Sequence, residues 1–190
     1  FDPGPDTLYL SGYGDEDVYV QKFAPTGELI WARVFGGVNI EQANDIEVDA
    51  NGNVYVAGTF QQTVDFNPGP AVNAISCVGV YNSYVLKLNA NGNYVWAKSI
   101  QSPYAIAYGL AIDTLGNVYN TGTVDGSGNF DPNGTNFSLS GGQVYIQKLS
   151  PAGSFIWAKM LTSNQSYDIA RGVAVDLSNN VLVTGEFKGT

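Results

Sequence analysis

Short runs of alternating apolar and polar residues, separated by turn residues, recur along the chain. The middle of the chain contains four of them, which we name strands A to D: Asp45 to Asp49, Val54 to Phe60, Ser83 to Leu88 and Tyr94 to Ile100. They are rich in the β-branched and aromatic residues that favour strands. The A–B and C–D turns, Asn51-Gly52-Asn53 and Asn91-Gly92-Asn93, supply the positive φ angles of tight hairpins. The pattern predicts a unit of four antiparallel strands.

This unit repeats along the sequence. FDPGP at Phe1 returns as FNPGP at Phe66 and as FDPNG at Phe130, 65 and 64 residues later. We therefore interpret the chain as one segment, 1–190, built of repeats 1–65, 66–129 and 130–190. Four antiparallel strands in about 64 residues are typical of a β-propeller blade, so we predict an all-β propeller fold.

The strand register is circularly permuted, because the C–D pair comes first and the A–B pair comes last. Three repeats fall short of the roughly four to eight blades of a closed propeller. Two sources of further blades stay open. Either a longer chain carries more repeats, which we favour, or identical chains join, with the A–B pair of one completing the C–D pair of the next.

Several motifs recur in all repeats. They are VYVQKF, YVLKL and VYIQKL in strand C; GELIWAR, GNYVWAK and GSFIWAK in strand D; the hairpin VDANGNVYVAGTF; and FDPG before strand C. Together these motifs resemble the bacterial β-propeller repeats known as SBBP repeats, over nearly the whole chain. The resemblance implies a propeller on a secreted or surface-exposed bacterial protein. It implies a scaffold and no reaction.

The composition excludes several kinds of catalytic and metal site and disfavours some partners. The chain has 17 acidic and 8 basic residues, a net charge of −9, one cysteine and no histidine. Histidine-based triads, ordinary zinc sites and an internal disulfide are thereby excluded, and nucleic acid is a disfavoured partner. No apolar run approaches the ~18 residues of a spanning helix, so we predict no membrane insertion. The composition also favours, weakly, an extracellular or cell-surface location.

Aromatic residues mark the connections between strands. Tyr104, Tyr108 and Tyr167 lie in D–A connections, and Tyr13 and Tyr81 precede strand C. In a propeller both kinds of connection emerge on one face, where such rings suit protein or carbohydrate ligands. An equally open interpretation is that the tyrosines cap gaps between blades.

Three tryptophans recur in step in strand D, and we predict that they pack blade against blade: Trp31, Trp96 and Trp157.

The stretch DGSGNFDPNG is a candidate calcium loop. It places an oxygen-bearing side chain at every second position: Asp125, Ser127, Asn129 and Asp131. Calcium prefers such oxygen ligands. The alternative, which we favour, is that these residues form Asx-turns around Pro and Gly, because the loop lacks the terminal glutamate of the EF-hand pattern. We predict no other cofactor.

Three consecutive carboxylates, Asp15, Glu16 and Asp17, precede the first strand C. Paired carboxylates cleave glycosides in many enzymes, but the other repeats lack these residues, so we favour solvated loop charge.

The sequence as a whole predicts a non-catalytic scaffold that binds protein or carbohydrate. The alternatives are a building block of a larger extracellular assembly and, more weakly, a glycan-active hydrolase or lyase.

Overall fold

The computed structural model describes residues 8–161 and 168–188. Their secondary structure is made of strands, and within these ranges no helix could cross a membrane. In chain order the strands are β1 (Val18–Phe23), β2 (Leu29–Phe35), β3 (Glu41–Val48), β4 (Val54–Phe60), β5 (Thr63–Asp65), β6 (Ala74–Ser76), β7 (Asn82–Leu88), β8 (Tyr94–Ile100), β9 (Ala105–Ile112), β10 (Val118–Val124), β11 (Ser127–Asn129), β12 (Ser138–Ser140), β13 (Val144–Leu149), β14 (Phe155–Leu161), β15 (Ile169–Val175) and β16 (Val181–Glu186).

The strands pair antiparallel in the predicted order A-B-C-D. Strands β3-β4-β7-β8 form one four-stranded sheet, blade II, and β9-β10-β13-β14 form another, blade III. The C–D pair β1-β2 is half-blade I, and the A–B pair β15-β16 is half-blade IV. The described part of the chain is therefore propeller-like, with two full blades between two half-blades. The permuted register predicted from the sequence is confirmed.

Strands B and D of blade II have the predicted bounds, but strand A begins earlier. Residues 41–43 also pair with β4, and the register shifts between Ala43 and Asp45 because Asn44 is an extra residue on strand A. A Cβ at Gly58 would collide with the main-chain oxygen of Gln42. Because Gly58 has no side chain, the main chain of Gln42 can approach it closely. Strand A therefore extends past the register shift into the D–A connection.

The B–C connections contain the hairpins β5-β6 and β11-β12. Phe66, from the repeated FDPG-type motif, is fully buried and anchors the first of these connections. Its ring centre lies 5.3 Å from that of Phe60 and 5.0 Å from that of Tyr84. Phe130, its counterpart in the next repeat, is also buried, and its ring centre lies 5.6 Å from that of Tyr145, so the motif fastens both connections to the blade core.

The hydrophobic core lies between consecutive blades. Val20 and Phe35 of half-blade I pack in one cluster with Val56 and Leu86 of blade II, so the sheets stack face to face. Trp31 belongs to the same cluster. Its indole Nε1–H donates to the main-chain oxygen of Ala90 in the next blade at 3.1 Å.

The next blade boundary has the same arrangement. Trp96 Nε1–H donates to the main-chain oxygen of Pro151 at 3.1 Å. Lys22 and Lys87, in strand C, donate to these same two oxygens at 3.2 and 3.0 Å. The predicted role of Trp31 and Trp96 in packing blade against blade is confirmed.

Candidate functional site: the loop face before strand C

The D–A connections and the residues before strand C lie side by side and form one surface, which we call the loop face. Parallel bridges join Glu16 to Ile40 and Tyr81 to Tyr104. In blade II the Ala105 N–H donates to the Tyr81 main-chain oxygen at 2.9 Å. Both kinds of connection therefore emerge on the same face, as the propeller arrangement predicts.

Three of the predicted tyrosines form a cluster at this face: Tyr81, Tyr104 and Tyr108. The prediction that Tyr108 lies in a D–A connection is wrong, because the paired strand β9 already begins at Ala105. The rings of Tyr81 and Tyr104 meet edge to face, with centres 5.7 Å apart and planes at 88°. Burial raises the pKa of Tyr104, and the neighbouring Tyr108 and Tyr81 raise it further. Tyr104 nevertheless keeps 36 % of its surface exposed, so the cluster is both ordered and accessible.

A cation lies over one ring of the tyrosine cluster. The Arg171 guanidinium carbon is 5.1 Å from the centre of the Tyr108 ring, a cation–π distance. Arg171 Nε also donates to Glu186 Oε1 of strand β16 at 3.1 Å, in an ion pair that is exposed to solvent. The tyrosine cluster thus extends from blade II to half-blade IV.

The other two predicted tyrosines are not part of this group. Tyr13 is 59 % exposed, and within the described ranges no ring contact joins it to the tyrosine cluster. Its backbone N–H donates to Asp17 Oδ2 at 2.8 Å. Tyr167 lies outside the described residues. A ligand-binding role for any of the five tyrosines stays a prediction.

Asp17 differs from its two acidic neighbours. Asp15 and Glu16 are exposed, in line with solvated loop charge. The Oδ1 atom of Asp17 is instead buried and accepts no hydrogen bond. Solvated loop charge is therefore the wrong description of Asp17, because the D–A connection folds over its carboxylate.

Glu41, which the sequence analysis did not single out, lies beside Asp17. It is only 2 % exposed; its Oε2 accepts the Gly37 N–H at 2.7 Å, and its Oε1 has no partner. A Cβ at Gly36 would collide with Asp17 Oδ1 and lie 2.9 Å from Glu41 Oε2, so the two carboxylates are close neighbours. Burial raises the pKa of Glu41; the Gly37 N–H opposes this, and the Asp17 charge adds to it.

Comparison of the repeats explains why Asp17 Oδ1 lacks a hydrogen-bond partner. In blade II, Asn82 takes the place of Asp17: its Oδ1 accepts the Val78 N–H at 3.0 Å and its Nδ2 donates to the Ser102 oxygen at 2.6 Å. Asp17 has an acceptor oxygen where Asn82 has its donor. This substitution between repeats was the signal in the sequence that could have found the pair.

A cavity of about 430 Å³ opens beside the carboxylate pair, and Asp17, Glu41 and Asp45 contribute to its lining. Two carboxylates, one of them with a raised pKa, are the groups that most glycoside-cleaving enzymes use as acid and base. If the hydrolase alternative holds, Asp17 and Glu41 are the residues that would act, and Asp15 and Glu16 are not.

The predicted calcium loop is closed by its own hydrogen bonds. Asn129 Oδ1 accepts the Asp131 N–H at 3.1 Å, and Asp131 Oδ2 accepts the N–H and hydroxyl of Thr135 at 2.6 and 2.9 Å. Asp125 and Ser127 are exposed. In residues 8–161 and 168–188, no three acidic or cysteine side chains gather closely enough to hold a metal ion. Calcium binding here stays a prediction.

Comparisons with known proteins are sparse. No family model matches the sequence. Among curated proteins, the chain is similar to an uncharacterized WD repeat-containing protein of Acanthamoeba polyphaga mimivirus. The two are 26 % identical over 188 residues, which cover 85 % of this chain and 14 % of that protein. The chain therefore spans about a seventh of the relative's length.

Proposed function

We propose that this chain is a non-catalytic β-propeller scaffold that binds a protein partner through the tyrosine cluster of its loop face. The similar mimivirus protein is named for WD repeats, which form propeller blades and serve in protein interaction. The stacked antiparallel sheets support the same architecture.

The edge-to-face contact of Tyr81 and Tyr104 is the observation that carries the proposal. Tyrosine presents a large apolar ring and a polar hydroxyl with few rotatable bonds, so it contributes contact area at low entropic cost. The ring contact and the Arg171 guanidinium over Tyr108 hold these rings in place before any ligand arrives. Preorganisation of this kind favours affinity.

The proposed location of the protein and its second ligand class are supported by the sequence alone. The SBBP-type motifs support a secreted or surface-exposed bacterial protein. Carbohydrate is the second ligand class, because aromatic rings beside polar groups also suit sugars. Calcium in the loop that contains Asp125 and Asp131 is a less favoured alternative, because hydrogen bonds within the loop already use the Asp131 carboxylate. A hydrolase is the weaker alternative, favoured only by the cavity beside Asp17 and Glu41.

The test uses two probes: a phage-displayed library of random peptides and an array of oligosaccharides. Each is applied to the wild type, to Tyr104→Ala and to Tyr108→Ala. Tyr9→Ala is the matched control, because Tyr9 is 86 % exposed and lies outside the tyrosine cluster. We expect enriched peptides that bind the wild type and the control alike and that lose about tenfold in affinity on each cluster variant.

Each other outcome counts against the proposal. Peptides that bind the cluster variants as tightly as the wild type would place the interaction elsewhere. Enrichment on the oligosaccharide array alone, with loss on Tyr104→Ala, would replace the protein partner by a sugar. Enrichment by neither probe would remove the tyrosine cluster as a ligand site.

A further inference from the structure

We propose that the partner of the tyrosine cluster is a basic segment of protein, and that one of its lysine or arginine side chains lies on the ring of Tyr104 with Asp125 as its counter-ion. The partner is the one proposed above, so this inference rests on the proposed function and adds the charge that the partner carries. Tyr81, Tyr104 and Asp125 lie at the boundary between blades II and III, both of which are complete in this sequence.

Positive charge is concentrated at the end of the blades that carries the A–B and C–D turns, opposite the loop face. The sequence has eight lysines and arginines, and all of them lie in the described ranges. Lys98 reaches the C–D turn of blade III, where its Cε lies 3.1 Å from a Cβ built at Gly153, and Lys159 occupies the equivalent position of the next strand D. Four further cations contact turn residues through a hydrogen bond or an ion pair: Lys22, Arg33, Lys87 and Lys148.

The loop face carries the opposite charge. Only Arg171 in β15 and Lys188 after β16 bring positive charge to it, and Arg171 is paired with Glu186. Carboxylates at the same end of the blades outnumber these two cations: Asp15, Glu16, Asp17, Glu41, Asp125, Asp168 and Glu186. A surface of one sign attracts partners of the opposite sign and disfavours like charge. The loop face therefore favours a basic partner over an acidic one.

Tyr104 has a carboxylate directly beside it. Ala105 pairs with Val124 at this end of β9 and β10, and the next pair outward brings Tyr104 opposite Asp125, whose N–H donates to the Tyr104 main-chain oxygen at 2.9 Å. Residues opposite each other in an antiparallel pair project from the same face, with Cβ atoms about 4.5–5.5 Å apart. The Asp125 side chain is exposed and makes no hydrogen bond or ion pair within the described ranges. A partly exposed ring and an available carboxylate thus lie next to each other.

A tyrosine ring beside a carboxylate suits a cationic side chain. A lysine ammonium or an arginine guanidinium is attracted to the face of a tyrosine ring within about 6 Å of its centre. The same cation can accept a carboxylate as its counter-ion through charge-assisted hydrogen bonds. A neutral side chain would gain only the contact with the ring, and an acidic one would meet Asp125 as a like charge.

The protein makes one contact of this kind within itself. The Arg171 guanidinium carbon lies 5.1 Å from the centre of the Tyr108 ring, and Arg171 Nε donates to Glu186. At Tyr108 the ring, the cation and the carboxylate are therefore all present. At Tyr104 the ring and the Asp125 carboxylate are present, but within the described ranges no cation lies over the ring. A lysine or arginine of the partner would complete the same three-part contact.

The first experiment compares three synthetic peptides of equal length, in which glycine alternates with arginine, with glutamine or with glutamate. Their binding to the chain is measured by fluorescence anisotropy at low and at physiological salt. We expect the arginine peptide to bind about tenfold or more tightly than the glutamine peptide, and the glutamate peptide not to bind. Added salt should weaken the binding of the arginine peptide, because it screens exposed charges.

The second experiment locates the contact with variants. Tyr104→Phe keeps the ring and should bind the arginine peptide as the wild type does, whereas Tyr104→Leu keeps an apolar side chain without a ring and should bind about three- to tenfold more weakly. Asp125→Asn should weaken binding about threefold at low salt and less at physiological salt. Glu28→Gln removes the same charge from an exposed turn at the opposite end of the blades, so it is the matched control and should bind as the wild type does.

The following results would overturn the basic partner. Equal binding of the three peptides would show that charge does not select the ligand. Binding of the arginine peptide that Tyr104→Leu and Asp125→Asn leave unchanged, or that Glu28→Gln weakens as much as Asp125→Asn does, would show attraction to the chain as a whole and no contact at Tyr104.

The random-peptide library described above separates this inference from the proposed function. Enriched peptides that need Tyr104 and are rich in lysine or arginine would support both. Enriched peptides that need Tyr104 but carry no excess of basic residues would leave the tyrosine cluster as a protein-binding site and refute the basic partner. A library without any enriched peptide, together with an arginine peptide that does not bind, would refute both.

Discussion

The indole N–H of Trp96 donates to the main-chain oxygen of Pro151 across the boundary between blades II and III, at 3.1 Å. Lys87 Nζ reaches the same oxygen at 3.0 Å and also lies 4.9 Å from the centre of the Tyr55 ring. Burial lowers the pKa of Lys87, while the Asp49 charge opposes that shift. One turn oxygen thus satisfies two half-buried donors that would otherwise be costly to place between blades.

Trp96→Phe should lower the free energy of unfolding by about 1 kcal/mol, because the ring stays but the hydrogen bond is lost. Trp96→Ala should cost about 3–5 kcal/mol, because it also opens a cavity. The measurement is chemical denaturation followed by circular dichroism. Trp157→Phe is the control, since its Nε1–H has no acceptor among the described residues. Equal losses for the two phenylalanine variants would contradict a role for the hydrogen bond.

Asp17→Asn should stabilise the protein at pH 7 by about 1 kcal/mol, because the new amide can donate to the Gly37 oxygen as Asn82 donates to the Ser102 oxygen. Glu41→Gln should also stabilise, since it removes a buried charge. The pKa of Glu41 is raised above its ordinary 4.5, so its protonated form favours folding and that stability is lost as pH rises. The gain from Glu41→Gln should therefore be largest at neutral pH and shrink as pH falls towards 4.5.

The control for this pair is Asp15→Asn, because Asp15 is exposed and should change stability little. Thermal denaturation of the three variants between neutral and acidic pH is the measurement. The double variant Asp17→Asn/Glu41→Gln should gain less than the sum of its parts, because each change relieves the same repulsion. A loss of stability on Asp17→Asn at pH 7 would contradict the prediction, because the carboxylate would then have a stabilising partner beyond the contacts described above.

The blade strands could be predicted from the sequence because the signals are local. Alternation, the turn glycines Gly52 and Gly92, and repetition of the same landmarks fix strands B and D of blade II at their observed bounds. The role of Trp31 and Trp96 was also predictable, since residues that repeat in step occupy equivalent positions at each blade boundary.

The candidate site was less predictable because it depends on contacts between distant segments. Glu41 is buried against Asp17 only because the D–A connection folds back over the start of strand C, and Glu41 does not stand out in its own segment. The grouping of Tyr81 with Tyr104 followed from blade geometry, but the cation–π contact of Arg171 on Tyr108 depends on side-chain placement between two blades.

Protonation of Asp113 should make the protein less stable in acid. Burial alone would raise its pKa, but hydrogen bonds from Asn117, Tyr119 and the Leu115 N–H lower it below its ordinary 3.8. A lowered pKa contributes stability that is present above pH 3.8 and is lost as pH falls below it. Asp113→Asn should therefore cost about 1–2 kcal/mol at pH 7 and progressively less in acid. Urea denaturation at several pH values tests this, and a cost that is constant with pH would refute it.

The loop that contains Asp131 should keep its structure without calcium, because its hydrogen bonds are already made within the protein. We expect the same thermal unfolding midpoint with added calcium and with a chelator. Asp131→Ala should lower the free energy of unfolding by about 1 kcal/mol, since it removes two bonds from Thr135, whereas Asp125→Ala should leave it unchanged, because that exposed side chain makes no hydrogen bond in the described structure. If calcium were bound by the four loop oxygens, both variants would abolish a calcium-dependent rise in the midpoint.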